Sequence, residues 1–407
     1  MPLICPFAGL RPLPEYAADV MAPPYDVLNS AEARVLAADK PLSFLHISKA
    51  EIDLAEDTDP FDAAVYAKAA ENLRRLVDQG VLMREANPCY YVYRLTMGEH
   101  QQTGLVAVAS VAEYDRNRVR KHEFTRPDKE DDRVNQIKAL NAQTGPVLSV
   151  YPANAELDRL LADITQDRPM YKLTAQDGIG HTIWIIDDDH TIDAISADVE
   201  EIPALYIADG HHRSAAASRV AHDMGEGDQH MSRYFLTVMF PHTQVKILDY
   251  NRVVTDLNGL SQSDFLEKVG ASFSCQAESS AVKPQAAGEF GMYLNGQWHR
   301  LSIKPELIPE DPVKRLDVSL LAEYLLSPIL NINDPRTDKR IDFVGGIRGL
   351  AELEKRVNSG EMACAFSMHP TSMEDLMAVA DANQVMPPKS TWFEPKLADG
   401  LVSHVLD

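Results

Sequence analysis

Cysteine is scarce in this chain: four among 407 residues, at Cys5, Cys89, Cys275 and Cys364. With no CxxC and no paired Cys/His spacing, neither a disulfide framework nor a zinc-finger-type site is expected. Apolar runs are short, and none reaches the ~18 residues of a membrane-spanning helix. The amino-terminal MPLICPFAGLRPLP lacks a basic stretch followed by a long apolar run, so a secretory leader is not expected either. Positive charge is in deficit, 39 Lys and Arg against 61 Asp and Glu, for a net charge of −22. A surface this acidic repels nucleic acid and anionic membranes. An anionic ligand would need a local basic cluster working against the global field. Internal repeats, low-complexity tracts and heptads are missing. So are the P-loop, Gly-x-Ser-x-Gly, His-Glu-x-x-His and EF-hand patterns. What remains is the expectation of a soluble cytoplasmic protein that binds neither nucleic acid nor membrane, with homo-oligomerisation left open.

Apolar residues make up 45% of the chain, enough for a large core. Its length suits two or three domains, and the pattern suggests regions 1–150, 151–260 and 261–407. Helices are expected from Ser30 to about Asp39 and from Asp59-Pro60 to Gly80, the latter with Asp59 as cap. Others are expected near Arg133–Gln143 and at LDRLLADIT, QSDFLEKVG and VSLLAEYLLSPIL. LSFLHISKAE reads as a strand. PCYYVYRLTMGEHQQTGLVAVASVAEY, MYKLTAQDGIGHTIWIID and GMYLNGQWHRLSI read as hairpins. RYFLTVMF and VKILDYNRVV read as adjacent strands, RIDFVGGIRGLAELEKRV as strand–turn–helix, and MACAFSM as a strand. Strands alternate with helices and hairpins throughout, which predicts a mixed α/β (α+β) fold.

The most informative stretch is LYIADGHHRSAAAS, Leu205 to Ser218. It reads as a buried strand, a tight turn at Gly210 and an alanine-rich helix. The helix's first turn carries His211, His212 and Arg213, three potential cations at the positive end of a macrodipole. An anion there resolves the conflict. The first N–H groups of a helix lack intrahelical partners and make a phosphate site. Arg213 can add a bidentate fork, and the imidazoles can add ring donors. Asp209 can hold a metal ion on the phosphates, accept a proton, or simply cap the helix.

ADGHHRSAAA resembles the phosphate-binding box of the ParB/sulfiredoxin superfamily, including the Asp-Gly-His-Thr-Arg of its free-serine kinases. His212 and Arg213 stand where sulfiredoxins have His and Arg. His211 replaces the sulfiredoxin cysteine, so sulfinic acid reduction is not implied. Over nearly its full length the chain resembles the domain-of-unknown-function family numbered 1015, through APPYDVLN, KHEFTRPDKEDDR, YIADGHHRSAAA, DYNRVV and MPPKSTWFEPKL. The resemblance implies a ParB/sulfiredoxin-like strand–turn–helix core with further α+β regions on either side.

Other segments offer chemistry. RKHEFTRPDKEDDR, read as a loop, holds Lys121, His122, Glu123, Thr125, Asp131, Asp132 and Arg133. Glu123 or His122 can take a hydroxyl proton and Arg133 can steady a substrate carboxylate, although such runs are also ordinary solvated surface. In MPPKSTWFEPK, Lys389 and Lys396 can reach phosphates if the carboxy-terminal segment folds back, and Trp392 and Phe393 can anchor it. Tyr25 and Asp26 follow two prolines and can contact substrate; a tight turn explains them equally. FVGGIRG opens a helix but lacks the full dinucleotide fingerprint.

These residues predict a nucleotide-dependent small-molecule kinase using ATP or ADP and Mg²⁺. Asp209 is the expected metal ligand, and free serine is the acceptor the resemblance implies. A phosphomonoester phosphatase and a non-catalytic nucleotide-gated switch use the same cradle and remain alternatives.

Overall fold

The computed structural model describes residues 1–225, 227 and 230–407. The chain divides into two compact units, Met1–Val245 with Pro395–Asp407, and Lys246–Glu394. The fold is mixed α/β, as its alternating pattern predicts.

The first unit is built on a nine-stranded sheet. Its order is Val119–Arg120, Leu205–Asp209, Val147–Tyr151, Tyr234–Pro241, His100–Ser110, Tyr90–Met97, Gly180–Ile186 and Tyr171–Thr174, with Ile4–Cys5 also paired to His100–Ser110. Leu205–Asp209 runs parallel to Val119–Arg120 and antiparallel to Val147–Tyr151. Tyr234–Pro241 is buried at every position, the signature of a strand covered on both faces. Helices Pro127–Leu140 and His211–Met224 pack on each other beside the sheet. The second of these contributes Ala216, Ala217, Val220 and Ala221 to the main core, small side chains that let it lie close to the strands. A separate cluster gathers the amino-terminal helices around Phe44, Leu45, Ile47 and Leu76.

Three local features differ from the sequence expectation, each for a physical reason. LSFLHISKAE forms a helical turn at Leu45–Ser48 and a 3₁₀ turn at Ala50–Asp53 rather than a strand. Burying Leu45, Ile47 and Ala50 together satisfied either periodicity over so short a run. The helix after Asp59 starts at Ala63 with Asp62 as its cap, because Asp59 spends its carboxylate on the Phe61 amide. The expected helix near Arg133 begins earlier, at Pro127, where proline needs no N–H partner and Asp128 and Glu130 face the positive end. It ends at Asn141 in the left-handed region (φ 50°). Asp131, Asp132 and Arg133 therefore sit on a helix, not in a loop.

The second unit carries an antiparallel six-stranded sheet in the order Phe273–Glu278, Gln297–Ile303, Glu289–Leu294, Cys364–Met368, Tyr250–Val254 and Ile341–Gly345. Helix Leu350–Asn358 packs on it through Leu353. RYFLTVMF and VKILDYNRVV are not neighbours: the first lies in the nine-stranded sheet. The second splits between a two-stranded ribbon with Trp392–Glu394 and the six-stranded sheet. Among the described residues no helix is long and apolar enough to cross a membrane.

Candidate functional site

Strand Leu205–Asp209 leaves its pairing with Val147–Tyr151 through a bulge between Ile207 and Asp209. Bulges re-aim side chains at the end of a strand, and here the residue re-aimed is Asp209. The chain then turns at Gly210, whose φ is +99°. A Cβ at this position would also lie 2.9 Å from Arg213 Nε, so any other residue would be strained and would push the guanidinium aside. Gly210 is the helix cap, which removes the reading of Asp209 as an N-cap.

Arg213 is the centre of the site. Its guanidinium donates to the Pro146 carbonyl and places Nη2 3.8 Å from Asp26 and 3.7 Å from Asp209. The side chain is 10% exposed. Its Nε–H is buried and has no acceptor among the described residues. Lys396 lies 3.2 Å from the same Asp209 carboxylate. Despite burial, Lys396 and Arg213 hold the Asp209 carboxyl well below the usual carboxylate range.

Beside Arg213 is a small cavity of about 30 Å³, lined among others by Tyr25, Arg133, Thr144, Gly145 and Asp399. Arg133 stacks its guanidinium 3.9 Å from the centroid of the Tyr25 ring and donates twice to Asp132. Burial pushes the Tyr25 phenol up to about 12. Asp399 is buried, and one of its carboxylate oxygens has no partner among the described residues. Burial, opposed by Arg213 and Arg133 and aided by Asp26, pushes its carboxyl up to about 7. The carboxy-terminal stretch that carries Lys396 and Asp399 is tied to the amino terminus by reciprocal backbone hydrogen bonds between Ala22 and Asp399 and between Leu10 and Ser403.

The two histidines do not act as the cations their position suggested. His212 Nε2 accepts the Arg126 amide at 3.1 Å, so the lone pair is used and the ring is neutral. His211 Nε2 faces the His122 amide at 3.5 Å, and its Nδ1 lies 3.7 Å from Glu123. Burial lowers both imidazoles, His211 strongly. They hold the His122–Arg126 segment over the first turn of the helix, and Arg213 is the cation among the three. His212→Ala is expected to cost about 1 kcal/mol of stability, the worth of one partly exposed hydrogen bond. The loss should be equal at pH 7 and pH 8, since the ring is neutral at both; urea denaturation at the two pH values checks this.

Of the residues singled out in the sequence, Tyr25, Asp26, His122, Glu123, Arg133, Asp209, Gly210, His211, His212, Arg213 and Lys396 belong to the first unit. Lys389 does not. It lies in the second unit, its ammonium 5.5 Å from the Tyr250 ring centroid. Thr144, Gly145 and Asp399 were missed. The Asp399-Gly400 turn in LADGL was the available clue.

A buried arginine whose Nε–H has no acceptor among the described residues thus stands beside two carboxylates at the amino end of a helix that follows a strand and a tight turn. The family model described as "Protein of unknown function (DUF1015)" matches residues 4–319, and the chain belongs to that family. No curated protein matches the sequence. Similar solved structures include SbnI with a C-terminal truncation from Staphylococcus aureus (11% identity, TM-score 0.38, covering 72% of this chain and 84% of that one). A free serine kinase in complex with AMP is 10% identical, with TM-score 0.36 and coverage of 71% and 86%. A conserved hypothetical protein from Pyrococcus furiosus is 14% identical, with TM-score 0.35 and coverage of 72% and 94%. Overlaps this loose carry no functional argument.

Proposed function

We propose that this chain is a nucleotide-dependent phosphotransferase acting on a small hydroxyl-bearing metabolite. The observation that supports it best is the buried Nε–H of Arg213, without an acceptor among the described residues, beside the amino end of the His211–Met224 helix, which no side chain caps. A buried donor without an acceptor is costly, and a phosphate oxygen would satisfy it together with the first-turn amides. Arg133 adds a second guanidinium on the same cavity. Phosphoryl transfer asks for little beyond such positioning and charge neutralisation.

Asp26 and Asp209 each lie within 3.8 Å of the Arg213 Nη2, and carboxylates are the hard oxygen donors that Mg²⁺ takes. A nucleotide-bound Mg²⁺ would neutralise developing phosphate charge there. Asp209, held ionised by Lys396 and Arg213, is a poor base. Glu123, whose side chain is 57% exposed beside His211, is the better proton acceptor. The resemblance of the Asp209–Arg213 box to the free-serine kinases makes serine the first acceptor to try.

The test is incubation of the protein with ATP or ADP, Mg²⁺ and serine, followed by ³¹P NMR. Phosphoserine should accumulate, and Glu123→Gln should lower kcat about 100-fold or more with nucleotide affinity unchanged. Phosphate released to water alone would indicate a phosphatase. Nucleotide bound without transfer to serine or a panel of hydroxyl metabolites would indicate a switch.

A further inference from the structure

His122 and His211 stand 89 positions apart in the chain, yet their rings meet edge to face with centroids 4.5 Å apart. Glu123 completes a group of three whose potential ligand atoms all lie within 4.8 Å of one another. Both imidazoles are buried, at 2% and 4% exposure. The state of His122 is the telling feature. Its ring hydrogen-bonds the Ile207 backbone, while its Nδ1 is buried with no partner among the described residues. A ring N–H given to a main-chain carbonyl fixes the tautomer and leaves a bare lone pair on the other nitrogen, the outer-shell arrangement of metal-binding histidines. His211 is held only by contacts of 3.5 and 3.7 Å, longer than a firm hydrogen bond. Its Nε2 faces the His122 amide and its Nδ1 the Glu123 carboxylate, both loosely.

From this geometry we infer that His122, His211 and Glu123 form a binding site for a first-row transition ion of the zinc class. Two imidazoles and one carboxylate are borderline donors that favour Zn²⁺, Mn²⁺ or Fe²⁺ over Mg²⁺. Three protein ligands leave at least one coordination position for water or an anion. Bonds of about 2.0–2.2 Å place ligand atoms roughly 3.3 Å apart in a tetrahedral site. The three side chains must therefore close by up to about 1.5 Å, and Glu123, on the exposed segment between Val119–Arg120 and the Pro127–Leu140 helix, is the one that can move. With one carboxylate oxygen committed to the ion, the second still carries lone pairs for a proton. The site shares no residue with the Asp26–Asp209 pair, although Asp209 acts electrostatically on both imidazoles, and it does not rest on the phosphotransferase reading, because it is read with metal alone and no nucleotide.

The test is titration of the chelator-stripped full chain with Zn²⁺ by calorimetry, and with Co²⁺ by visible absorption. One ion per chain is expected, with a Co²⁺ spectrum of a four- or five-coordinate nitrogen-ligated site. His122→Ala should weaken binding at least 100-fold and Glu123→Gln at least tenfold. His190→Ala, on an exposed helix start, should change nothing and sets the background of surface histidines. If His122→Ala does not fold, the exposed Glu123→Gln decides alone. Binding no tighter than the surface background, or Glu123→Gln equal to wild type, overturns the assignment.

Discussion

Replacing Arg213 by alanine is expected to abolish nucleotide binding and to lower stability by about 3 kcal/mol. Both effects follow from one side chain. The guanidinium is the cation facing Asp26 at 3.8 Å and Asp209 at 3.7 Å, and it offsets the charge of Asp399 as well. Removing one partner of a buried ion pair leaves the other charge uncompensated, which is why the loss exceeds that of a surface pair several-fold. Lys396 keeps Asp209 partly neutralised, and Asp26, 40% exposed, can turn to water, so the lower end of the usual range applies. Arg213→Lys separates the two consequences. It restores most of the stability because a positive charge returns. It should still bind ATP or ADP at least tenfold more weakly, since lysine lacks the planar fork and the Nε–H that stands unpartnered in the wild type. Urea denaturation and calorimetric nucleotide titration of both variants provide the readouts. Wild-type nucleotide affinity in a folded Arg213→Lys or Arg213→Ala protein would remove the basis for a phosphate site.

The site was legible in the sequence to the extent that its signal was local. Asp209, Gly210 and Arg213 stand within one turn of one another, and the strand–turn–helix that carries them has strong short-range determinants in Gly210 and the alanine run. The tertiary partners of the two histidines were not legible. Nothing in HHR says that His212 accepts the Arg126 amide or that His211 lies under His122, because those contacts join positions 86 and 89 apart. The apparent excess of positive charge at a helix start was therefore overstated: two of the three side chains are neutral hydrogen-bonding groups. The sheet order was illegible for a related reason. Val147–Tyr151 and Tyr234–Pro241 pair in parallel across a long excursion of chain, and each reads only as a buried apolar run. LSFLHISKAE shows the same limit at short range, since its apolar spacing fits one helical turn as well as a strand.

The same electrostatics give Asp399 a larger role than its late position suggests. Its folded carboxyl is raised to about 7, against an ordinary 3.8. The folded state therefore holds this proton more tightly than the unfolded chain does. Below pH 4 the group is protonated in both states and costs nothing. Between pH 4 and 7 the unfolded chain ionises while the folded one does not, and stability falls. Above pH 7 both are ionised and the full penalty persists. At about 1.4 kcal/mol per unit, the penalty at pH 8 exceeds that at pH 5 by about 2–3 kcal/mol. Asp399→Asn mimics the protonated carboxyl, so it should stabilise the protein by that much more at pH 8 than at pH 5, measured by urea denaturation at each pH. The groups facing Asp399 are Arg213, Arg133, Asp26 and Tyr25. Of these only Asp26 opposes a bound phosphate. An ionised Asp399 would repel it, so nucleotide affinity should fall as pH rises through 7, with a proton taken up on binding. The phosphate's own ionisation runs in the opposite sense near pH 6, and the Asn variant isolates the difference because it shares that term. Its nucleotide affinity should stay level between pH 7 and 8.5 where the wild type weakens about tenfold, the effect of one unfavourable charge close by in a poorly solvated pocket. Parallel pH profiles for the two proteins would mean that Asp399 and the bound anion do not share a cavity.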